Sequence, residues 1–98
     1  MFEVIVEEAA GEDLDELRTF DRRVIEDAMD EQLSKEPLVR TRNRKPLHSF
    51  VPAWEHVQPI WQLRVGDLRI FYDVDETSQT VHVRRILSKG TRTTGDLK

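Results

Sequence analysis

Apolar and polar residues alternate at the start of the chain, Phe2, Val4 and Val6 against Glu3, Ile5 and Glu7, which predicts a strand with one more polar face. From Ala9 the period changes. Leu14, Leu17, Val24, Ile25, Ala28, Met29 and Leu33 recur at helical spacings with acids between them. The pattern predicts two helices, roughly over 9–19 and 21–35, broken at "TFD", where Asp21 is placed to cap the second. Acids crowd the first turn of each, where the macrodipole favours negative charge. Pro37 ends this helical hairpin, because a proline cannot continue it.

Residues 37–59 contain all four prolines and no clear period. They predict a long loop that is either functional or wraps the core with Phe50 and Trp54. Alternation then resumes. Ile60–Val65 and Leu68–Val74 are predicted strands joined by a tight turn at Gly66-Asp67. "DETSQ" makes the next turn, Thr80–Leu87 is the last strand, and 88–98 is a polar tail. The order β-α-α-β-β-β over a single domain, 1–98, predicts an α+β fold of two layers, with the helices on one face of a mostly antiparallel sheet. The expected core includes Val4, Val6, Leu14, Leu17, Val24, Ile25, Ala28, Leu63, Ile70 and Val83.

The hairpin carries an electrostatic question. With Gly66-Asp67 as the turn, Val65 faces Leu68 and Arg64 faces Arg69, so two guanidiniums lie side by side. Like charges directly opposite are costly unless an anion or an acid sits between them. That anion is either a nucleic-acid phosphate or a carboxylate from the helices or from a partner.

Charge is divided along the chain. Residues 1–36 hold 13 acids and four bases, or −9, while residues 37–98 hold six acids and 11 bases, or +5, which together give the net −4. The division predicts two faces, one of them suited to a polyanion. The chain has no cysteine, which excludes disulfides and thiolate metal sites. Its N-terminus has no basic segment leading into a long apolar run, and so reads as a strand and not as a signal peptide. No apolar run approaches the ~18 residues of a membrane span, so a cytoplasmic domain is the expectation.

The stretch Trp61-Gln62-Leu63-Arg64-Val65-Gly66-Asp67-Leu68-Arg69-Ile70-Phe71-Tyr72 resembles the central hairpin of the RelE/ParE toxin superfamily. "KPL" (Lys45-Pro46-Leu47) is similar to the segment that precedes that hairpin, and "DLDELRTFDRRVIEDAMDEQL" suits the family's helical pair. The resemblance implies the toxin of a type II toxin–antitoxin system, with a cognate antitoxin as partner. One branch of the family consists of ribosome-dependent mRNA interferases, endoribonucleases that act by 2′-OH attack on ribosome-bound mRNA. The other branch inhibits DNA gyrase, and a third reading is a binding-only relative without nuclease activity. On the interferase reading the resemblance places Arg69 on the scissile phosphate, Arg64 beside it and Lys89 at a second basic position. Arg44, Lys45, Arg85 and Arg92 are then the expected RNA-binding cations. No cofactor or metal is implied, and either a homo-oligomer or a toxin–antitoxin hetero-oligomer is compatible. Four departures are plain: Ile60 and Gln62 stand where the interferases have lysines, Leu87-Ser88 replaces a Gly-His/Lys step, the tail lacks the usual tyrosine or histidine, and the long segment 37–59 is atypical.

The chemistry narrows the candidates further. Arginine suits a crowded phosphate because its planar fork stays charged, and for the same reason it is a poor base. Lys89, between Arg85 and Arg92, is the lysine that like charge would tune toward proton transfer. His82 is a candidate proton carrier by residue type, although a histidine in such a strand is more often a surface or packing residue. His48 and His56 lack ligand spacing. Asp73-x-Asp75 fails as a calcium loop, with Ser78 and Arg84 at the positions that need Gly and Glu. Trp54 and Trp61 offer surfaces for base stacking, although Trp61 at the start of a core strand is better placed for packing.

Overall fold

The computed structural model describes residues 1–88. Its elements are β1 (Glu3–Val6), α1 (Glu8–Asp15), α2 (Thr19–Ala28, extended by a π-helical turn over Met29–Leu33), β2 (Arg44–Leu47), β3 (Ile60–Val65), β4 (Leu68–Asp75) and β5 (Thr80–Ser88). The sheet order is β1-β5-β4-β3-β2. β1 runs parallel to β5 and the other pairs are antiparallel, so the sheet is mixed. Both helices cover one face of it, giving the two-layer α+β fold that the hydrophobic pattern predicts.

Three local expectations are corrected. Asp21 does not cap α2: the helix begins two residues earlier, Arg18 holds the cap position, and Asp21 lies within the first turn. Val6 ends the edge strand β1 and is 38% exposed, because no strand among the described residues covers its outer side. The loop over 37–59 contains a fifth strand, β2, despite Pro46. A proline is tolerated there because, among the described residues, β2 is an edge strand that pairs only with β3.

The core is built where the alternation places it. Leu14, Ile25, Ala28, Leu63, Ile70 and Val83 are buried as expected, with Val4 and Leu17 packed against them. Leu33, Tyr72 and Val81 join them, each fully buried. Trp61 is also in the core and stacks on Tyr72 with ring centroids 6.2 Å apart. Tyr72 donates its hydroxyl to the Pro37 carbonyl at 2.7 Å, and burial pushes its pKa up against a weaker downward pull from Arg44. The loop before β3 folds onto the opposite side of the sheet. There Phe50 and Trp54 meet Phe71 at centroid distances of 6.0 and 5.8 Å. Val57 ties the same loop down by donating its backbone N–H to Asp73 at 3.1 Å.

Candidate polyanion-binding face

The register decides which cations point where. Trp61 pairs with Tyr72 and Leu63 with Ile70 on the helix side, so Gln62 and Phe71, and then Arg64 and Arg69, project from the opposite side. The reversal occurs at Gly66, whose φ of 59° suits the first position of a II′ hairpin turn. Arg64 and Arg69 are therefore direct cross-strand neighbours, as the sequence predicts. Arg64 is exposed, and Arg69 is partly covered, with its Nη1 buried and lacking a hydrogen-bond partner among the described residues. No acid among the described residues forms an ion pair with either.

Lys45 belongs to the same face. It pairs with Gln62 across β2 and β3, is exposed, and lines a small pocket of about 70 Å³ with Arg42, Asn43, Gln62 and Arg64. Three cations and two amides line the pocket, with no carboxylate among them. Backbone bonds shape its wall: Arg64 donates to the Asn43 carbonyl at 2.7 Å, and Thr41 donates to the Arg44 carbonyl at 2.8 Å. Arg42, Asn43 and Gln62 were not anticipated from the sequence. The signal available was the run "RTRNRK", with four bases in six residues.

Arg44 sits one position from Lys45 and faces the other way. It pairs with Leu63 on the helix side and is only 2% exposed. It donates to the Val39 carbonyl at 2.7 Å, Gln32 at 3.0 Å and Glu36 at 3.4 Å, so its fork is committed to the helical hairpin and not to an external ligand. Arg85 is likewise occupied. Asp13 of α1 accepts from it at 2.7 and 3.1 Å, and its guanidinium lies 5.7 Å over Trp54. The hydrogen bond that Arg85 donates to Asp13 raises the Arg85 pKa, outweighing its burial. Asp13 also accepts the Ile86 backbone N–H at 2.9 Å, which β1 is too short to reach. Lys89 and Arg92 lie outside the described residues.

The remaining polar clusters are also paired. His82 contacts Glu7 at 2.7 Å through Nδ1. Asp73, 1% exposed, accepts both arms of Arg84 at 2.8 and 3.2 Å. Burial alone would lower the Arg84 pKa, but the hydrogen bond and charge of Asp73 leave it raised. Asp75 closes the turn after β4 by accepting the N–H groups of Thr77 and Ser78. No helix among the described residues is long and apolar enough to cross a membrane.

The fold has solved counterparts. It is similar to the Mycobacterium tuberculosis RelBE2 toxin–antitoxin complex, with 25% identity and a TM-score of 0.70 over 89% of this chain and 96% of that one. An archaeal RelE–RelB complex from Pyrococcus horikoshii matches with a TM-score of 0.71 at 19% identity, over 93% of this chain and 98% of that one. The isolated E. coli RelE toxin matches at 0.69 and 11% identity, over 98% and 93%. At those two identities the likeness is one of fold. No curated protein matches the chain. Residues 4–92 match the family model described as the ParE toxin of the type II toxin–antitoxin system parDE. With nearly the whole sequence within that match, the chain belongs to the ParE toxin family and is the toxin of a type II toxin–antitoxin system.

Proposed function

We propose that this toxin binds RNA on the helix-free face of its sheet and cleaves ribosome-bound mRNA, with Arg69 holding the scissile phosphate. The observation that carries this reading is the Arg64–Arg69 pair, two adjacent cations that form no ion pair among the described residues, with one Arg69 nitrogen buried and without a hydrogen-bond partner among them. Such an arrangement costs stability, and a phosphate between the forks would remove that cost. Arg64 shares the charge, and Lys45 extends it toward the sheet edge. Lys89 remains the proposed proton-transfer group and Arg92 a further contact. A cognate antitoxin is the proposed partner, in line with the RelB-bound form of several structural neighbours.

The test is induction of the parent chain and of Arg69→Ala, following ribosome-bound mRNA and DNA replication. The parent is expected to cut mRNA before replication slows, and Arg69→Ala to lose about a hundredfold or more in cleavage rate, by analogy with the loss of an oriented donor at a charged transition state. Intact mRNA with arrested replication would overturn this reading in favour of gyrase inhibition. Arrest of neither would assign a binding-only role.

A further inference from the structure

The pocket of Arg42, Asn43, Lys45, Gln62 and Arg64 opens beside the Arg64–Arg69 pair, and Arg64 belongs to both. We infer that it is a second phosphate subsite, which takes the backbone phosphate next to the one at Arg69. This rests on the RNA-binding reading above. Three positive side chains with no carboxylate in the lining select an anion, and a volume of about 70 Å³ suits a single tetrahedral group better than a planar base. The backbone of the wall is tied in place by the bonds from Arg64 to Asn43 and from Thr41 to Arg44, so the ordering cost on binding falls on the exposed side chains alone. Asn43 and Gln62 place amide groups among the cations, able to donate to a phosphate oxygen or to bond a ribose hydroxyl.

Geometry gives the direction of the strand. Arg69 is on β4, Arg64 on β3 and Lys45 on β2, so the cations step across neighbouring strands. At about 4.8 Å per strand the step from β4 to β2 is roughly 10 Å, and Lys45 pairs with Gln62, two residues along β3 from Arg64, so Lys45 and Arg69 stand roughly 12 Å apart on a diagonal with Arg64 between them, a gap that the long side chains narrow toward neighbouring phosphates. The RNA therefore crosses the sheet strands, running from the hairpin toward the β2 edge. The other side of this face is closed to it by Phe50 and Trp54 over Phe71.

A fluorescently labelled 2′-O-methyl oligouridine, which cannot be cut by 2′-OH attack, tests the inference. Its affinity is measured against salt for the parent chain, Arg69→Ala, the double variant Arg42→Gln/Lys45→Gln and the charge-conserving Arg42→Lys/Lys45→Arg. Losing one phosphate contact on a single strand is expected to flatten the salt slope by about 0.7. Arg69→Ala and the glutamine double variant should each do this, with an affinity loss of roughly tenfold, while the charge-conserving variant keeps the parental slope. If the glutamine variant also keeps it while Arg69→Ala does not, the subsite is overturned and the proposed function stands. If the parent binds the oligouridine neither free nor on the ribosome, both fall. If the glutamine variant binds RNA as the parent does but no longer holds the antitoxin, the pocket serves an acidic protein segment and the inference is wrong.

Discussion

Two sets of arginines share one small sheet and are treated in opposite ways. Arg44, Arg84 and Arg85 are each held by specific acceptors: Gln32, Glu36 and a carbonyl for the first, Asp73 for the second and Asp13 for the third. Arg64 and Arg69, with Arg42 and Lys45 nearby, have no ion-pair partner among the described residues and lie side by side. A buried charge left alone is costly, so scaffold cations arrive with their acids. Cations gathered without acids make sense where a ligand brings the negative charge. Counting the basic residues of the second half therefore overstates the binding face, since a good part of that charge is spent inside the fold.

The largest effect that can break this contrast is at Asp73. It is buried, holds both arms of Arg84 and accepts the Val57 N–H. Asp73→Ala takes away the hydrogen-bonded partner of Arg84, leaving only the weaker pull of Glu7 and Glu55, and is expected to cost about 3 kcal/mol in a urea titration. A cost below about 1 kcal/mol would mean that Arg84 reaches solvent and does not depend on its partner.

Asp13→Ala comes next. It frees Arg85 and leaves the Ile86 N–H on the β5 edge without an acceptor, for an expected loss of about 2 kcal/mol. Hydrogen exchange at Ile86 should rise in the same variant.

The smallest effect has the opposite sign. Arg64→Gln removes one of two facing like charges, so stability is expected to rise by a few tenths of a kcal/mol while RNA affinity falls. A variant that is less stable and binds RNA as before would place Arg64 with the scaffold arginines.

These contrasts differ in how far the sequence reveals them. The hairpin register is legible because period-two alternation on both sides of Gly66-Asp67 leaves one pairing that buries Leu63 and Ile70 together. The opposite fates of Arg44 and Lys45 are not, since they depend on β2, whose four residues include a proline and carry no alternation of their own. Nor is the Asp13–Arg85 bond, which joins residues 72 positions apart and arises only because α1 packs beside the unpaired end of β5. Helix ends shift by a few residues because Arg18, and not a capping side chain, starts α2.

The claim that the outward cations serve a ligand and not the fold is tested most directly at Arg69, by measuring thermal midpoint and growth arrest together in Arg69→Ala. Removing a partly covered guanidinium with one nitrogen unpaired among the described residues, opposite another arginine, should leave the midpoint unchanged or raised while growth arrest is lost. A lowered midpoint with full arrest would contradict the account, because Arg69 would then belong with the arginines that hold the fold together.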